Sequence, residues 1–125
     1  MNKNALINEL LKKGFTDAHG SYQKKFNGRN ISLLVTSGLF GSITTLTMLY
    51  EFKNDLSEEL HEEVMEKSKK LVDNLSQYLK IATVGNNFLE AEITGKAKKE
   101  SVDSVIRECA IFADAIIPLL DEYNV

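Results

Sequence analysis

The side chains that could do chemistry in this sequence are few, and their spacing argues against most of that chemistry. His61 opens the run His61-Glu62-Glu63-Val64-Met65. A zinc-peptidase helix needs a second histidine four residues on, so that two imidazoles share a face, and position 65 is methionine. The other histidine, His19, lies in a glycine-flanked loop with no histidine or cysteine at ligand spacing. No metal site is expected. Glu58, Glu62 and Glu66 do recur at i, i+4, which sets three carboxylates on one helix face. Such a ladder could hold a divalent cation or act as paired carboxylates. Attraction to the helix dipole and the later Glu63-Lys67 and Glu66-Lys70 pairs favour the simpler reading, a solvated charged face.

Thr94-Gly95-Lys96 precedes a helical pattern, where free backbone donors could bind a phosphate, with Lys98 and Lys99 adding charge. It is not a Walker loop: the required earlier glycine is Glu90, and Ala97 stands where a Ser or Thr should follow the lysine. Lys24, Lys25 and Arg29 interleave with Tyr22 and Phe26, the makeup of single-stranded nucleic-acid sites. An edge hairpin also carries solvent-facing lysines to discourage edge-to-edge pairing, and the patch is small, so no nucleic-acid partner is expected. Cys109 falls on an apolar stripe with Val105, Ile106, Phe112 and Ala113, which makes it a small buried hydrophobe rather than a nucleophile. These residues predict neither an enzyme nor a cofactor.

The 125 residues suit one domain, 1–125, that buries its core without a staple; they are 43% hydrophobic and 26% charged, with one proline. A lone cysteine cannot form an internal disulfide. Met1 to Lys13 interrupts its apolar residues with Asn2, Lys3, Asn4, Asn8 and Glu9, unlike the continuous apolar core of a secretory signal, so a cytoplasmic location is expected. The longest apolar runs, Cys109 to Ala113 and Ala115 to Leu120, are far shorter than the roughly 20 residues that span a bilayer. The net charge of −3 hides an asymmetry: residues 1–54 hold seven Lys/Arg against three Asp/Glu, and residues 55–125 hold eight against fifteen. The halves therefore differ in sign, which can orient a partner but names none.

Leu6, Ile7, Leu10 and Leu11 form one helical stripe that Gly14 should end. Tyr22 to Phe26 and Asn30 to Thr36 flank Asn27-Gly28, a strong hairpin signal. Ile43 to Phe52 alternates, with Leu46, Met48, Tyr50 and Phe52 inward and Ile43, Thr45, Thr47, Leu49 and Glu51 on a wetter face. A long helix from Asp55 or Ser57 to about Leu79 follows, which Asn54 or Asp55 can cap, with Leu56, Leu60, Val64, Leu71, Leu75 and Leu79 on its stripe. Lys80 to Val84 and Phe88 to Thr94 make a second hairpin, with Leu89, Ala91 and Ile93 inward. Lys96 to Tyr123 predicts a broad apolar helix across the sheet, kinked or ended by Pro118, with the remainder as a terminal extension. The expected fold is α+β, in the order α-β-β-β-α-β-β-α, an antiparallel sheet covered on one face by helices.

The connection Ser37-Gly38-Leu39-Phe40-Gly41-Ser42 puts two large apolar side chains between glycines. Leu39 and Phe40 either fold back over the core, the expected outcome, or present an apolar contact to a partner.

That element order and size resemble the type III secretion chaperone-like fold, which includes the YbjN-type family of sensory transduction regulators. The stretch Asn86-Asn87-Phe88-Leu89-Glu90-Ala91-Glu92-Ile93, followed by the apolar final helix, is similar to the strand-then-helix ending of YbjN-type proteins. The resemblance implies a homodimer that binds protein segments without doing chemistry. Two departures set the chain apart: a short fourth strand and an unusually charged second helix. The leading expectation is a chaperone-like, homodimeric protein-binding module with contacts at Leu39 and Phe40. The alternative is a small acidic inhibitor or immunity-type protein, of the kind found in phages or toxin loci, that blocks one target through Glu58, Glu62 and Glu66.

Overall fold

The computed structural model of the protein describes residues 1–124. Helix α1 (Lys3–Lys12) starts where Asn2 Oδ1 accepts the Ala5 N–H at 2.8 Å, and the chain leaves it through Gly14 at φ 95°. Leu6 and Leu10 on its inner face are fully buried. A two-residue strand β1 (Thr16–Asp17) then pairs with β2 (Ser21–Phe26). No periodic signal can announce so short a strand. The hairpin between β2 and β3 (Arg29–Ser37) turns through Asn27 at φ 51° and Gly28 at φ 81°, the positive dihedrals that this pair of residues tolerates best.

Strand β4 (Ile43–Glu51) pairs with β3 on one side and, after helix α2 (Glu58–Leu75), with β6 (Phe88–Ile93) on the other. Strand β5 (Leu79–Val84) closes the far edge, giving a six-stranded antiparallel sheet in the order β1-β2-β3-β4-β6-β5. The protein is thus an α+β fold with its helices packed on the sheet, and the expected order holds apart from the added β1 and the division of the last helix. The pleat sorts the residues as alternation predicts. Ile31, Leu33, Val35, Leu46, Met48, Tyr50, Leu89, Ala91 and Ile93 enter one core, while Leu34 and Leu49 are exposed on the wet face. Each large side chain so buried contributes about 1.5–3 kcal/mol.

The helical layer departs from expectation in three places. Helix α2 begins after Ser57, the later of the two expected starts and not at an Asn54 or Asp55 cap, because the Phe52 and Leu56 N–H groups donate to the Asn87 and Asn86 carbonyls and hold the approach in extended form. It also ends at Leu75, and Leu79 belongs to β5. The buried stripe of α2 is Val64, Ser68 and Val72, so Leu71 lies at the rim and Leu75 is exposed. Finally, the single helix expected over 96–123 is broken. Helix α3 (Gly95–Lys99) stops before Ser101, which turns extended and caps helix α4 (Val102–Ile111) by accepting the Ser104 N–H at 3.3 Å.

A π-helical turn, Phe112–Ile116, joins α4 to α5 (Ile117–Asp121), and the Ile117 N–H reaches back five residues to the Phe112 carbonyl. This wider turn accommodates the ring of Pro118, which in an unbroken α-helix would collide with the carbonyl of residue 114. Residues 119–124 of the expected terminal extension are not loose, since Leu120 is fully buried; Val125 lies outside the described residues. Val105, Cys109, Phe112, Ala113 and Ile116 do form the central packing face expected of this segment. Among the described residues no helix is long and apolar enough to cross a membrane.

Candidate functional site

Leu39 and Phe40 do not fold back over the core. The connection forms a single 3-10 turn, Leu39–Gly41, in which Leu39 is 84% exposed and Phe40 101% exposed. The turn is built by Gly38 N–H donating to the Ser42 carbonyl at 2.9 Å and by Ser42 Oγ donating to the Leu39 carbonyl at 3.2 Å. Phe40 adopts φ 62°, ψ 21°, a left-handed conformation that a bulky residue avoids. These bonds fix the turn so that both side chains point away from the protein, and burial within the chain is closed to them.

Glu58, Glu62 and Glu66 are exposed on α2, as a helix face at i, i+4 requires. Glu62 and Glu66 help line a shallow, mostly apolar groove of about 540 Å³ together with His61, Met65, Lys69 and Val84. His61 is half-buried there rather than on the polar side of the helix, and its Nε2 is buried without a hydrogen-bond partner among the described residues. The Glu63-Lys67 and Glu66-Lys70 pairs do not close: the ion pairs among the described residues are Lys12–Glu9 and Lys13–Asp103. The glutamates and the Leu39–Phe40 turn sit on different elements, with no hydrogen bond or ion pair between them among the described residues.

The remaining chemical candidates resolve into structural roles. Lys24 turns inward, donates to the Lys13 carbonyl at 2.5 Å and lies 5.9 Å from the ring centres of Phe15 and Phe26. It thereby caps the C-terminal end of α1, leaving Lys25 and Arg29 as the basic residues of that hairpin. Lys98 donates to the Thr44 carbonyl at 2.9 Å, which ties the short α3 to β4. Cys109 is fully buried, and burial, with Glu108 adding to it, pushes its thiol up to about 12. The described residues contain no group of three His, Cys, Asp or Glu side chains able to hold a metal.

One constellation is invisible along the sequence. Ser76, just beyond α2, donates its hydroxyl to Glu108 Oε1 and accepts the N–H groups of Tyr78 and Leu79 at 3.0 and 3.2 Å. Glu108 is 2% exposed, and it lines a polar cavity of about 420 Å³ with Asp73, Leu75, Tyr78 and Arg107. The two partners are 32 residues apart, and Glu108 looks along the sequence like one more charge on an amphipathic helix. No protein-family model, curated protein or solved structure matches the chain.

Proposed function

We propose that this chain is a non-enzymatic protein-binding module, a chaperone-like adaptor or regulator that works as a homodimer. The observation that carries the reading is Phe40. A bulky residue held left-handed costs about 1–2 kcal/mol, and full exposure returns nothing from burial. The stabilising contact of Leu39 and Phe40 therefore lies outside the chain, on an apolar segment of a partner. The order of α1, the β2-β3-β4 strands, α2, the β5-β6 hairpin and the C-terminal helical segment, with helices packed on the sheet, supports the chaperone-like part of the reading.

Selection of displayed peptides on the wild-type chain, followed by measurement against Leu39→Ser/Phe40→Ser, tests the contact. Peptides that bind the wild type and lose at least about tenfold in the variant are expected. Peptides indifferent to the substitutions overturn it. Light scattering on a sizing column at two salt concentrations tests the dimer. A salt-resistant mass of about twice 14.0 kDa is expected, and a monomer at both salts overturns the homodimeric part.

The groove beside Glu62 and Glu66 favours a second function, that of an acidic inhibitor seating a basic segment whose apolar residues meet Met65 and Val84. Charge reversal at Glu58, Glu62 and Glu66 then abolishes binding, while Leu39→Ser/Phe40→Ser leaves it intact.

A further inference from the structure

We propose that the cavity between the end of α2 and Glu108 binds a monovalent organic cation, a guanidinium or ammonium group on an alkyl stem. Three independent features make the cavity electronegative. The first is Glu108 itself, which is buried, has Ser76 as its only hydrogen-bond partner among the described residues, and lies on the lining of the cavity. A buried carboxylate is costly unless it is paired or fully hydrogen-bonded. The second is the C-terminal end of α2. Ser76 N–H returns to the Val72 carbonyl, the Gln77 N–H does not turn back to the helix, and those of Tyr78 and Leu79 go to Ser76 Oγ, so among the described residues no backbone N–H closes on the carbonyls of Asp73, Asn74 or Leu75. An 18-residue helix with free terminal carbonyls and no basic residue in its last turn presents its negative pole here. The third is the Asp73 side chain on the same lining.

Arg107 is the lining's one cation, and it forms no ion pair with Asp73 or Glu108 among the described residues. Two carboxylates and a helix pole thus outweigh one guanidinium. A divalent metal fits poorly, since calcium and magnesium need six or more oxygens, zinc needs three or four side-chain ligands, and no group of three ligating side chains is present among the described residues. A single planar or tetrahedral cation fits well. It would meet Glu108 and the carbonyls with its donors, while Leu75 and Tyr78 flank its stem. The cation could be a free small molecule or the Lys or Arg side chain of a protein partner, and the chemistry that recognises it is the same.

The test is titration of the ¹⁵N-labelled chain with n-butylguanidinium, with uncharged n-butylurea, and with the peptide acetyl-Gly-Arg-Gly-amide, following backbone amide shifts. Saturable shifts confined to residues 73–78 and 107–108 are expected with butylguanidinium and absent with butylurea. Glu108→Gln, which keeps the shape and removes the charge, should weaken the response at least about tenfold. Should that variant fail to fold, the exposed Asp73→Asn serves in its place, with an expected loss of about threefold. Equal binding of the peptide assigns the pocket to a partner's side chain, and binding of butylguanidinium alone assigns it to a free cation. No saturable shift at these amides with either charged probe, or a response unchanged in both variants, overturns the proposal.

Discussion

Tyr50 donates its hydroxyl hydrogen to Asp121 Oδ1 at 2.7 Å, joining the end of β4 to the end of α5 across 71 residues of sequence. Asn124 completes the clasp: its Nδ2 donates to the Tyr50 oxygen at 3.0 Å, and its Oδ1 accepts the Lys53 N–H at 2.6 Å. Burial first, and the Asp121 bond second, push the Tyr50 phenol from 10 up to about 12. The folded state thus favours the neutral phenol. Its contribution is complete below pH 10, where the unfolded phenol is also neutral, and is lost as pH rises through about 12. Urea midpoints should fall between pH 10 and 12, and Tyr50→Phe should flatten that fall. An identical pH dependence in the variant would remove the clasp from this account.

A Cβ added at Gly85 would sit 2.2 Å from Phe88 Cε1, inside the tight turn where Gly85 N–H donates to the Phe88 carbonyl. Gly85→Ala should therefore cost about 1–3 kcal/mol. Adding Phe88→Leu should restore most of the loss, because the clash is with the ring. Chemical denaturation of the single and double variants decides it, and an additive double variant would mean the two residues do not collide.

Phe40 sets stability against binding. Replacing it with asparagine, which tolerates the left-handed region, should raise unfolding free energy by up to about 1 kcal/mol, while abolishing capture of the peptides selected on the wild type. A variant less stable than wild type would show that Phe40 is held by contacts of its own.

Cys109 should be silent to a thiol reagent in native buffer, because it is fully buried and its thiol is pushed up to about 12. Its labelling rate should rise with urea in step with global unfolding. Fast stoichiometric labelling of the native chain would contradict the packing of α4.

Most of the sheet was legible because its alternation is strict. Leu46, Met48 and Tyr50, and Leu89, Ala91 and Ile93, are each separated by a residue on the other face, and Asn27-Gly28 admits few turns. The helices were less legible where local pattern and tertiary demand diverge. Leu71 and Leu75 continue an apolar stripe, yet the core takes Val64, Ser68 and Val72, the face that α2 turns to the rest of the fold. Periodicity also runs unbroken across Ser101, whose role as a cap depends on one hydroxyl. Of the candidate contacts, the exposure of the glutamates follows from helix geometry. The outward turn of Phe40 and the meeting of Ser76 with Glu108 depend on packing that spacing along the chain does not encode.

The placement of β6 between β4 and β5 has a consequence for synthesis. Strands β1 to β4 can assemble as neighbours emerge from the ribosome, but β4 keeps an open edge until residues 88–93 arrive. Its inner face, Leu46 and Met48 included, is fully buried only in the completed fold, whose core also takes Val105, Cys109, Phe112, Ile116 and Leu120. A nascent chain halted between those points carries a half-built sheet with one bare side, and should be cut by protease within β3 and β4. Extension through Asp121 should end that sensitivity, so the interval in which this fold needs protection in the cell is the time taken to make residues 88–121.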